Sequence, residues 1–128
     1  PWRRKRAGHT LSKGRLIGAQ FEGLLADGHW LDLAGHANAM ADKLATGIAA
    51  LGSIRLAWPS EANEVFAILP AARRDQLRTR GVQFLDWADG ALPEGEGLAP
   101  GETIGRFVCS FATRPDEVEQ LLAIIAEA

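Results

Sequence analysis

Cysteine, methionine and tyrosine are nearly missing from this chain: 128 residues hold one Cys, one Met and no Tyr. The single Cys109 excludes an internal disulfide and leaves too few thiols for a cysteine-based zinc site, so a reducing, cytoplasmic compartment is expected. No apolar run approaches the roughly 20 residues that a bilayer span requires, which argues against a membrane partner. Nothing resembles a signal peptide, because the basic start leads into a mixed segment rather than an apolar one. An excess of one charge is missing too, since 14 Lys and Arg face 16 Asp and Glu for a net charge of −2. A dedicated nucleic-acid binder carries its basic excess over a whole face, and none is expected here. Hydrophobic residues at 47% and charged residues at 23% are ordinary globular usage. The length is one domain's worth, enough to bury about two-thirds of the unfolded surface.

What is present begins with a local basic run. "PWRRKRAGHTLSKGR" places Arg3, Arg4, Lys5 and Arg6 ahead of Gly8, His9, Lys13 and Arg15. By itself it reads as a solvated, frayed leader; a base-reading role needs aromatic neighbours, and only Trp2 is at hand.

Helical spacing follows over residues 10–26, with Leu11, Ile17, Phe21, Leu24 and Leu25 on one stripe and Thr10 or Ser12 as the candidate cap. Gly14 and Gly18 each cost that helix about 1 kcal/mol against alanine, which calls for a close backbone approach as compensation. Asp27-Gly28 breaks it. The clearest element is the next one: Leu33, Ala37, Met40, Leu44, Ile48 and Leu51 make one apolar stripe, with Ala34, Ala41, Ala45 and Ala49 beside it, and Gly52 ends the helix.

Beyond Gly52 the period changes. Strands are expected at residues 54–58, 64–69, 82–87 and 103–111, and a short helix at 71–80 between Pro70, as its first residue, and Gly81, as its terminator. The stretch "ADGALPEGEGLAPGE" reads as a loop. A last helix starts near Thr113 and turns Val118, Leu121, Leu122 and Ile125 inward. The order helix, helix, strand, strand, helix, strand, strand, helix indicates an α+β fold with a small, mostly antiparallel sheet backed by helices.

Catalytic patterns are few. There is no phosphate loop, no GxGxxG and no HExxH, so no metal site is expected. His9, His29 and His36 stand far apart and read as solvated or capping residues, and Cys109 reads as a small core residue. Arg106 is the exception, a guanidinium in the middle of the apolar "TIGRFVCSF". Periodicity alone makes it a surface charge on a half-buried strand, paired with one of the chain's own acids. Its forked geometry also suits a ligand carboxylate.

Three segments in order, "RRKRAGHTLSKGRLIGAQFEGLLADGHWLDLAGHANAMADKL", "EANEVFAILP" and "GRFVCSFAT", resemble the C-terminal part of the low-specificity threonine aldolases. That family includes the phenylserine aldolases and belongs to the pyridoxal-phosphate enzymes of the aspartate-aminotransferase type. The resemblance implies a junction and bridging helix at residues 1–28 and a small C-terminal α+β domain at 29–128. It also implies that the chain is about the last third of such an enzyme, as the missing start methionine agrees. The implied activity is cleavage of β-hydroxy-α-amino acids to glycine and an aldehyde with pyridoxal phosphate, in a homo-oligomer (a dimer or a tetramer).

In the family a lysine of the large domain forms the Schiff base with the cofactor. Lys5 and Lys13 both lie downstream of where that motif belongs, so no catalytic residue is expected in this chain, and alone it should be inert. Arg106 matches the small-domain arginine that grips the substrate α-carboxylate. Relatives carry "GGGMRQ", with its arginine near the cofactor phosphate of an adjacent subunit; here "GHTLSK" places Ser12 at that position and Lys13 beside it. Lys13, and after it His9, are the implied cofactor contacts. The alternatives are another lyase or an aminotransferase of the same fold, or a non-catalytic interaction domain with a basic arm.

Overall fold

The computed structural model describes residues 1–10, 12–88, 92 and 97–127, in two compact units, Pro1–Asp32 and Leu33–Ala128. Leu11 and most of the loop expected at 88–102 lie outside the described residues.

The first unit holds α1 (Trp2–Arg6), α2 (Gly14–Leu25), a 3-10 turn (Ala26–Gly28) and the start of α3 (His29–Leu51). None of its described residues is buried. The expected cap at Thr10 or Ser12 is not used. Lys13 stands at the N-cap of α2 in the left-handed region, with φ 63°, and no side chain bonds the free N–H groups. Asp27 and Gly28 take positive φ as well, and this is the break expected there. An added Cβ at Gly14 or Gly18 would meet nothing within 4 Å among the described residues. The close approach expected at these glycines is therefore not made within this set.

The second unit is built on a four-stranded sheet: β1 (Arg55–Leu56), β2 (Glu64–Pro70), β3 (Leu85–Trp87) and β4 (Glu102–Val108). The strand order is β1-β2-β4-β3 and every pairing is antiparallel. Helices α4 (Ala71–Thr79) and α5 (Pro115–Glu127) complete it. Period-2 alternation sends Val65, Ala67 and Leu69 of β2, with Phe107 of β4, into one core. There they meet Ala41, Leu44, Ala45 and Ile48 of α3, Leu77 of α4, and Val118 and Ile125 of α5. This confirms the α3 and α5 stripes; at the far end of α3, Leu51 is exposed. The opposite sheet face carries a smaller cluster of Ala57, Ile68 and Ile104, flanked by Trp58 and Phe66.

Several elements are shorter than periodicity implied, because a strand lasts only as long as its partner. Residues 54–58 contribute just the two residues that pair with Ile68 and Ala67. In the 82–87 stretch only Leu85–Trp87 pair with β4, since the Val82 N–H is bonded to the Leu77 carbonyl at the exit of α4. Pro70 is the last strand residue and the N-cap of α4, with φ −58° and ψ 141°, rather than its first helical residue. Gly81 follows that helix with φ +86°, the terminator expected. The strand expected at 103–111 ends at Val108, and Thr113 accepts the Ser110 N–H in the turn that follows. The free N–H at Arg114 is taken by Glu117 Oε2 at 2.8 Å, half of a capping box for α5.

Candidate carboxylate-binding site

Phe107 and Cys109 point into the helix-side core, so alternation puts Arg106 on the other face of the sheet. It stands on a central strand, opposite Phe66 of β2 on one side and Leu85 of β3 on the other. The pairing with one of the chain's own acids that periodicity implied is present, with Glu64 as the partner, and the strand that carries it is a central one.

This guanidinium is half-buried, and its surroundings differ from those of the other arginines. Its Nε lies 3.5 Å from Glu64 Oε1, beyond the 2.7–2.9 Å of a charge-assisted hydrogen bond. That Nε is buried and has no hydrogen-bond partner. Its central carbon sits 5.2 Å from the centroid of the Trp87 ring, within cation–π range. Trp87 in turn meets Phe66 edge-on at 5.4 Å, and Phe66 packs on Trp58 at 4.8 Å. A ladder of three rings thus runs beside the cation.

The other arginines of the second unit are held differently. Arg55, Arg74, Arg78, Arg80 and Arg114 each donate a hydrogen bond to a carboxylate at 3.0 Å or less, and Arg73 donates to the Ile125 carbonyl at 2.9 Å. Arg106 makes no side-chain hydrogen bond among the described residues. Its terminal nitrogens therefore keep the forked pair of donors that suits a carboxylate. Arg106 also lines an open cavity of about 580 Å³, with Arg78, Phe84, Leu85 and Val108 on its walls. Arg78 is already hydrogen-bonded to Asp86 at 3.0 Å, whereas Arg106 is paired with Glu64 only through Nε at 3.5 Å, and its terminal nitrogens have no partner among the described residues.

The remaining candidates stand elsewhere. His9 and Lys13 are exposed in the first unit, with no side-chain hydrogen bond among the described residues. They offer a cofactor phosphate charge, but no enclosing cradle. His36 donates through Nε2 to the Thr113 carbonyl at 2.7 Å, a tether between α3 and the entry to α5. Cys109 is buried, and burial pushes its thiol pKa up, away from reactivity. Among the described residues no cluster of His, Cys, Asp or Glu is arranged for a metal, and no helix is long and apolar enough to cross a membrane.

Sequence reasoning singled out Arg106 but not Glu64, Phe66 or Trp87. Glu64 and Phe66 alternate in "EVFAIL", so they share a face; which strand they oppose is set by the pairing of β2 with β4.

No family model matches the chain. It is 36% identical over 124 residues to the low specificity L-threonine aldolase of Pseudomonas sp. (strain NCIMB 10558), covering 97% of this chain and 32% of that protein. Against the Pseudomonas aeruginosa protein of the same name the identity is 38% over 120 residues, covering 94% and 31%. A solved threonine aldolase of Leishmania major superposes with a TM-score of 0.80 at 33% identity, over 97% of this chain and 33% of that one. Serine palmitoyltransferase of Sphingomonas wittichii shares the fold alone, with a TM-score of 0.57 at 18% identity, over 73% and 23%. The chain spans about a third of the length of the curated relatives it matches. The expected small α+β domain of the pyridoxal-phosphate enzymes is the architecture found.

Proposed function

We infer that this chain, a relative of the low-specificity threonine aldolases along almost all its length, supplies the substrate-holding part of a pyridoxal-phosphate-dependent aldehyde-lyase. In an enzyme of the relatives' full length, Arg106 binds the α-carboxylate of a β-hydroxy-α-amino acid of the threonine or phenylserine type. The products are glycine and an aldehyde. Bound pyridoxal phosphate supplies the electron-accepting ring; the work of this chain is to hold the amino acid at a fixed angle to it. Two parallel N–H···O bonds from one guanidinium fix both the position and the tilt of a carboxylate, as a single ammonium does not.

The observation that carries this reading is the Arg106 guanidinium on the sheet face away from the helices, lining an open cavity with terminal nitrogens that have no hydrogen-bond partner among the described residues. Its test is Arg106→Lys in the full-length enzyme. KM for L-threonine or phenylserine rises by about tenfold or more, while the dissociation constant for pyridoxal phosphate stays within about twofold. Unchanged substrate use rejects the assignment. Product analysis in the same assay separates this lyase from an aminotransferase of the same fold, since only the aldolase releases glycine and an aldehyde.

Lys13, with His9 as the weaker partner, is the proposed contact to the cofactor phosphate. The support is its exposed ammonium at the start of α2, with no partner among the described residues. Lys13→Ala in the full-length protein raises the cofactor dissociation constant; an unchanged titration removes Lys13 from the site. Subunit contact is proposed for α2, whose Leu16, Ile17, Phe21, Leu24 and Leu25 are all more than 40% exposed. Phe21→Glu weakens the full-length homo-oligomer in sedimentation.

A further inference from the structure

We propose that Trp87 is a positioning residue for Arg106, a platform on which the guanidinium lies so that its two terminal nitrogens are offered to the substrate carboxylate. This rests on the reading of Arg106 as the carboxylate grip.

A long arginine side chain carries much rotamer entropy, and an arginine that grips must have that freedom removed beforehand. Most arginines of this unit are held by a carboxylate or carbonyl, which occupies the same N–H groups that a substrate needs. Arg106 is held otherwise. Trp87 pairs with Ile104 in the β3–β4 register, two residues from Arg106 on the same face, which is the diagonal relation that long and aromatic side chains span. The ring meets the guanidinium at 5.2 Å and uses none of its N–H groups. Glu64 takes up the Nε side at 3.5 Å, too far to consume it. The Nη groups keep their full bonding capacity, with no partner among the described residues.

Trp87 is itself fixed, by its edge-on contact with Phe66 and by the packing of Phe66 on Trp58. Yet it remains 39% exposed on an edge strand of three residues, where a ring of that size adds little to the core. Its contact with Arg106 is what gives the ring a purpose at this position.

The test uses the full-length holoenzyme and a double-mutant cycle. Trp87→Leu raises KM for L-threonine about tenfold with a smaller change in kcat, and raises the calorimetric dissociation constant of glycine, used as the probe, by a similar factor. Trp87→Phe keeps a ring and raises both about two- to threefold; it decides the matter if the leucine variant does not fold. In an Arg106→Ala background Trp87→Leu adds less than about twofold, because the ring acts through the guanidinium. An equal effect of Trp87→Leu in both backgrounds, or no effect of Trp87→Phe on KM, overturns the platform. If Arg106→Ala itself leaves KM and glycine binding unchanged, the carboxylate-grip reading fails, and that result is distinct from a failure of Trp87 alone.

Discussion

Leu122 of α5 packs directly on the bare backbone of Gly47 in α3. A Cβ added at Gly47 would stand 2.6 Å from Leu122 Cδ2 and closer still to Cδ1. Glycine at this site therefore sets the separation of the two helices that cover the sheet, even though it costs α3 about 1 kcal/mol of propensity. Gly47→Ala regains that amount and loses about 1–3 kcal/mol to overpacking, for a net loss on the order of 1 kcal/mol in urea unfolding. Leu122→Ala in the same chain relieves part of it. A stabilised Gly47→Ala protein would show that the contact is not tight.

Gly105 makes the same kind of contact inside the sheet. Phe84 lies 2.9 Å from the position of its missing Cβ and stacks on Phe107 at 4.7 Å. Gly105→Ala displaces Phe84 from that stack and destabilises the fold by about 1–3 kcal/mol. Because Phe84 and Arg106 line one cavity, the substitution also raises KM in the full-length enzyme. A change in stability with no change in KM would separate the two roles.

The thiol pKa of Cys109 is raised above its ordinary value, since burial disfavours the thiolate. In the native protein it reacts with a disulfide reagent at pH 8 at least about tenfold more slowly than in urea. Above about pH 8.5 the unfolded chain releases this proton while the folded chain keeps it, so stability falls as pH rises. Equal reaction rates in the two states would show that the thiol is open to solvent.

Acid acts through two carboxylates. Glu102 is held below its usual range by the Ala99 N–H at 2.8 Å and by Arg55 at 2.9 Å, and Asp116 by Arg114. Both folded pKa values lie under the unfolded ones. Their stabilisation is whole above about pH 4.5 and is lost as pH falls through the folded values. The urea midpoint therefore drops between pH 5 and pH 3, and Glu102→Ala flattens part of that drop. An unaltered pH profile in that variant would remove Glu102 from the effect.

Much of this was readable in advance because it depends on local period. The α3 stripe of Ala37, Leu44 and Ile48, the α5 stripe of Val118 and Ile125, and the stop at Gly81 follow from 3.6-residue spacing and turn chemistry. Arg106 was visible as a charge out of place in an apolar strand. The expected cap at Thr10 or Ser12 failed because the left-handed Lys13 begins the helix after both of them. The expected strand at 82–87 was cut to three residues because α4 claims the Val82 N–H for its own end.

The amino-acid order by itself determined which residues face a core, since side-chain direction along a helix or strand is a property of the backbone alone. Only the tertiary structure decided what meets across elements: Trp87 under Arg106, Leu122 on Gly47, and Phe84 over Gly105. Those pairs join residues 19, 75 and 21 positions apart, respectively, whose meeting is set by strand register and helix separation. No window of sequence contains that information, because it arises from the packing of all the elements together.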